Sequence, residues 1–172
     1  MDMSTKLLIL FIVSPGALHS QERRSPKEQR EMTVGMQVQP PKRVPAKAKI
    51  TVQRSEAQPY GQTEGPSLME IHLSETFSGD MDGESPVRAL QILRVDHSAS
   101  LVSMQRFCGR LGGHRGTFVL QGSEIVENGN IQATWFVVPG SGTGDLFGLR
   151  GDGGFEGQFG KGSIGTLEYW FE

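Results

Sequence analysis

In Leu68-Met69-Glu70-Ile71-His72-Leu73-Ser74-Glu75-Thr76-Phe77, the apolar residues Met69, Ile71, Leu73 and Phe77 share one phase of a period-two pattern, and polar His72 and Ser74 occupy the other. Side chains alternate in this way along an extended strand with one face turned to a core. Ile131, Ala133, Trp135 and Val137 repeat the pattern further on. No stretch offers a comparable helical repeat. On either side, runs rich in Val, Ile, Leu, Phe and Thr recur about every ten residues between Gly, Asp, Asn or Pro clusters. They predict eight strands, near Ala48 to Glu56, Leu68 to Phe77, Val87 to Val95, Ser100 to Arg110, Gly116 to Glu124, Asn130 to Val138, Gly153 to Phe159 and Gly165 to Glu172.

The separators have turn chemistry. Gly79-Asp80-Met81-Asp82-Gly83, Gly112-Gly113-His114 and Glu127-Asn128-Gly129 supply residues that accept positive φ at low cost. Short turns between successive strands imply hairpins and an up-and-down antiparallel meander. Eight such strands close naturally into a barrel, because closure removes exposed edges; a two-sheet sandwich is the alternative. The expected fold class is therefore all-β, an eight-stranded barrel over residues 46–172. The chain's 23 glycines are concentrated after Gly109 and read as turns and bulges of a tightly bent sheet.

Residues 1–45 differ from the rest. They hold seven Lys/Arg against four Asp/Glu, whereas residues 46–172 hold ten against fifteen. An acidic domain repels phosphate backbones, so the barrel is not expected to bind nucleic acid. Lys6, the apolar run Leu7 to Val13 and the exit Ser14 to Ser20 have the order of a secretory signal, and the run is too short to span a bilayer. The other reading of residues 1–20 is a spurious leader, with Met32 or Met36 as the true start. Export to the periplasm or exterior follows from the first reading, a cytoplasmic location from the second, and neither leaves an integral membrane segment in the mature chain. Residues 21–45 alternate charges and prolines without apolar periodicity, as a non-globular linker does.

Chemistry-bearing residues are sparse. Glu75 interrupts the phase of Met69, Ile71, Leu73 and Phe77, so it points with the core side chains. Such a carboxylate lies at a strand end open to water, or lines a cavity with a raised pKa, or pairs with Arg106 or Arg88. Gln105 and Gln121 share odd-numbered phases with apolar neighbours and would add polar points to an apolar cup, the recipe of a small-molecule pocket; internal hydrogen bonding is their plainer role. Glycine-rich Pro139 to Gly154 fits no nucleotide fingerprint, since Phe147 stands where a third glycine belongs. It reads as a long turn in which Asp145, Arg150 and Asp152 bond their own backbone. His72, His97 and His114 lack the paired spacing of a metal site, and the single cysteine, Cys108, reads as a small strand residue. No cofactor or metal is expected.

Thr76 to Gly83, Gly116 to Gln121, the long segment Val138 to Gly151 and terminal Tyr169-Trp170-Phe171 together resemble the bacterial domain of unknown function numbered three-two-two-four, over about residues 46–172. The resemblance implies a barrel like those of allene oxide cyclase and the dirigent proteins, and no reaction. The chain departs from that pattern at Gln105, where the pattern has Glu, and at Gly122, where it has His. Three functions are in view: a barrel that holds a small apolar molecule in its mouth, with Glu75, Gln105, Gln121 and Arg106 as its polar contacts; an isomerase or cyclase resembling allene oxide cyclase, assisted by Glu75; and a structural module that joins copies of itself into a homo-oligomer.

Overall fold

The computed structural model describes residues 39–61 and 64–172. The readings of residues 1–20 as signal or leader, and of most of the linker, fall outside them. Eight strands follow one another: β1 Val44–Pro59, β2 Ser67–Gly79, β3 Met81–Leu93, β4 Ala99–Leu111, β5 His114–Glu127, β6 Asn130–Val137, β7 Leu149–Gln158 and β8 Gly162–Phe171. Each pairs antiparallel with the next, and β1 returns to β8, closing an up-and-down barrel.

The turns follow the chemistry of their residues. Asn128 and Gly129, both at positive φ, join β5 to β6, and Gly112 and Gly113 do the same for β4 and β5. The β2–β3 corner is tighter than the sequence suggests. Met81-Asp82-Gly83 belongs to β3 and not to the turn, because Asp80 alone anchors the corner: its carboxylate accepts from the Lys47 amide at 2.9 Å and its own amide donates to the Lys47 carbonyl at 2.9 Å.

The long glycine-rich segment also departs from expectation. Its second half enters β7 at Leu149, four residues earlier than Gly153. Its first half, with a 3₁₀ turn at Gly144–Leu146, runs beside the part of β5 that short β6 leaves unpaired. Thr143 donates to the Thr117 carbonyl at 2.9 Å, and the Ser141 hydroxyl accepts from the Val119 amide at 3.0 Å. Asp145, Arg150 and Asp152 do not bond their own backbone: Asp145 takes the Arg115 amide, Arg150 pairs with Glu172, and Asp152 pairs with Arg43.

These contacts cap one end of the barrel. Met81, Phe107, Leu111, Phe118 and Leu146 are inaccessible to solvent there, and each apolar side chain so buried contributes roughly 1.5–3 kcal/mol. Toward the other end the inward side chains Met69, Ile71, Leu73, Leu101, Ile131 and Phe155 are only half-buried. A bulge between Val52 and Arg54 flips the phase of β1, so that Ser55 and Ala57, small residues, face inward opposite Leu73 and Ile71. The barrel is thus packed solid at one end and open at the other.

Candidate functional site

Where the packed floor gives way to the open half, alternation sets a group of polar side chains on the inner face. On β2, Glu75 lies two residues beyond Phe77, opposite Val52 of β1 and Ser85 of β3. Three strands further round, Glu124 of β5 lies opposite Leu101 and Ala133. Between them β4 contributes Ser103 and Gln105, paired with Gly122 and Leu120.

The Ser103 hydroxyl donates to Glu124 Oε1. Gly122 makes room for this bond, since a Cβ there would stand 2.7 Å from Ser103 Oγ and 3.1 Å from Glu124 Oε1. Gln105 Nε2 and Ser85 Oγ are buried, with Gln105 6 % and Ser85 1 % exposed, and neither atom has a hydrogen-bond partner among the described residues.

Electrostatics follow from this placement. Burial, reinforced by the charge of Glu124, pushes the Glu75 carboxyl up to about 7. Burial raises Glu124 as well, and the Ser103 hydrogen bond opposes that rise. No Lys or Arg stands at an inward position of the eight strands, and the one inward-phase histidine among them, His114, lies at the packed end, ten residues along β5 from Glu124, so none compensates either acid. Below them lies an aromatic floor, in which Phe77 meets Phe107 at 5.5 Å and Trp135 at 6.3 Å between ring centroids. Trp135 meets Phe155 at 5.3 Å, and its Nε1 donates to the Thr166 carbonyl at 3.0 Å.

Of the residues singled out from sequence, the structure brings Glu75 and Gln105 together on the inner wall. Arg106 and Gln121 are placed otherwise. Both lie on the outer face, because the inward phase of β4 is Ser103, Gln105 and Phe107, and that of β5 is Phe118, Leu120 and Glu124. Arg88 is outward too, beside Glu70 and His72. Of the alternatives for Glu75, pairing with Arg106 or Arg88 is therefore the one the structure does not bear out. Gln121 lines a shallow outer groove of about 250 Å³ with Leu90, Val102 and Met104, and a hollow of about 430 Å³ lies at the β1–β2 hairpin; the linings of both omit Glu75 and Glu124. Among the described residues no three of His, Cys, Asp and Glu converge as metal ligands would.

Sequence reasoning missed Glu124, Ser103 and Ser85. The signal for Glu124 was the one that found Glu75, a carboxylate inside an apolar phase, here Phe118, Leu120 and Val126.

The sequence pattern of the family described as a protein of unknown function, DUF3224, matches residues 46–172. The chain belongs to the DUF3224 family. Among solved structures, the crystal structure of a DUF3224 protein of unknown function from Shewanella oneidensis MR-1 is similar, with a TM-score of 0.66 and 28 % identity over 76 % of this chain and 99 % of that one. No curated protein matches. The matched DUF3224 region contains the whole polar group, and both departures from the resembled pattern, Gln105 and Gly122, are inward residues of it.

Proposed function

We propose that this DUF3224 barrel binds a small, largely apolar molecule in its open half. The observation that carries the reading is the division of the interior: a floor inaccessible to solvent, then a ring of half-buried apolar side chains with Glu75, Gln105 and Glu124 at its base. An apolar wall with a few convergent polar groups is the usual make-up of a ligand site, and barrel mouths are a common place for one. Native mass spectrometry of the protein purified from its host, with displacement of a fluorescent fatty-acid or retinoid probe, tests it. A bound mass or displacement is the expected result; neither appearing would defeat the proposal.

A second reading, an isomerase or cyclase resembling allene oxide cyclase, is favoured by Glu75 itself. A buried carboxyl that titrates near 7 suits proton transfer at neutral pH. Any turnover found should fall at least about 100-fold in Glu75→Gln. Undiminished turnover in that variant would remove this mechanism and leave binding untouched.

A further inference from the structure

Two acids on the inner wall of one barrel, with no inward Lys or Arg among the described residues and inward-phase His114 at the other end of β5, make an incomplete electrostatic arrangement. The groups facing Glu75 and Glu124 from the other strands are Val52 on β1, Ser85 on β3, Ser103 and Gln105 on β4, Ala133 and Trp135 on β6, Phe155 on β7 and Ser163 on β8, and none of them carries charge. Burying an uncompensated carboxylate is destabilising, and a partner cation supplied from outside offsets that cost. The surroundings suit one kind of cation. Trp135, paired with Gly122, and Phe155, which continues the row of Glu124 and Ala133, put two aromatic rings next to the cluster, and such rings attract an organic ammonium in a desolvated site. Gln105 Nε2 and Ser85 Oγ, on residues more than nine-tenths buried and without partners among the described residues, leave two donors on the same wall.

Resting on the binding function proposed above, we infer that the ligand is an apolar organic ammonium ion, its nitrogen held between Glu75 and Glu124 over the Trp135–Phe155 pair and its hydrocarbon directed along Met69, Ile71 and Leu73 to the mouth. An oxygen close to the nitrogen would accept from Gln105 and Ser85. The ammonium binds the ionised acids, so its capture releases protons from carboxyls held above their ordinary range. Affinity therefore strengthens as pH rises from about 5.5 to 8, while that of a neutral analogue stays flat.

Titration calorimetry of the barrel with octylammonium, 1-octanol and octanoate tests the inference. At pH 8 the ammonium is expected to bind at least tenfold tighter than the alcohol, and octanoate weaker than both. In the Glu75→Gln, Glu124→Gln double variant the ammonium-to-alcohol ratio should collapse to about one with alcohol binding retained. Equal binding of ammonium and alcohol by the unaltered protein, or a preference that survives the double substitution, overturns the ammonium assignment and leaves the apolar cup standing. No binding of any of the three defeats the cup itself. Should the double variant fail to fold, the pH profile of the unaltered protein decides: an ammonium affinity that does not rise with pH overturns the inference.

Discussion

Glu75 occupies a strand position where every neighbour of its phase is apolar, and the consequence is measurable as a pH dependence of folding. Its carboxyl is held near 7, above its ordinary range, so between about 4.5 and 7 the folded chain binds more protons than the unfolded one. Stability is therefore greatest below that window and declines as pH rises through it, by roughly 3 kcal/mol for a shift of this size. Denaturant unfolding at pH 5 and pH 8 should show this decline, and Glu75→Gln should flatten most of it. A steeper decline in the variant would contradict the burial of this acid. Ser103→Ala should move Glu124 further up, because the hydroxyl that stabilises its ionised form is lost; a titration of the Glu124 carboxyl by NMR reads it. Glu75 was legible because a single charge broke an otherwise clean alternation. Glu124 was not, because β5 carries apolar residues on both faces, Val119 and Ile125 outside and Phe118, Leu120 and Val126 inside. With two plausible phases, the odd one was read as inward, and Gln121 took the place that belongs to Glu124.

At the scale of the element, the number and order of the strands were readable, and their ends were less so. Hairpin turns announce themselves through glycine and asparagine, whereas a strand's end depends on what its neighbour can pair with. β3 begins at Met81 because Gly83 pairs with Gly109 of β4, and that pairing is not written in either strand alone. Both glycines face inward at the packed end, where the two backbones lie too close for side chains. A Cβ on Gly109 would stand 2.2 Å from the Asp82 carbonyl oxygen, and one on Gly83 2.3 Å from that of Cys108. Gly83, expected in a turn, and Gly109, expected within the fourth strand, are therefore both mid-strand spacers that let Phe77 and Phe107 meet edge to face. Gly109→Ala must push backbone against backbone, and a loss of about 1–3 kcal/mol is expected in chemical denaturation. A neutral result would mean that β3 and β4 can part locally without disturbing the floor.

For the whole molecule, closure was inferred from a general dislike of open edges, and the register that achieves it was not visible. The seam joins Val44–Ile50 of β1 to Ser163–Tyr169 of β8, the first strand to the last, so its contacts have the longest separation in the domain. Residues Ala46, Ala48 and Ile50 bring buried side chains to that seam, and without them β8 would present an edge beside Leu167 and Tyr169. A closed sheet of this kind has no independent half, since opening one ladder exposes the shared interior to water. Lys49 faces outward and its backbone lies between β2 and β8, so Lys49→Pro removes a ladder hydrogen bond without touching the core. It should cost about 1–3 kcal/mol. The chain's two tryptophans make the cooperativity observable: Trp135 is buried in the interior, and Trp170 lies on the outer face with the Arg43 guanidinium 4.3 Å above its ring. With Trp170→Phe as the background, fluorescence reports Trp135, whose strand β6 lies two strands from β8 and is not paired with β1. In Lys49→Pro the fluorescence and far-ultraviolet dichroism midpoints should fall together by the same amount. Were the dichroism transition to shift while the Trp135 signal kept its midpoint, β1 would be an appendage to a self-sufficient sheet, and the shared interior that places Glu75 opposite Glu124 would lose its structural basis.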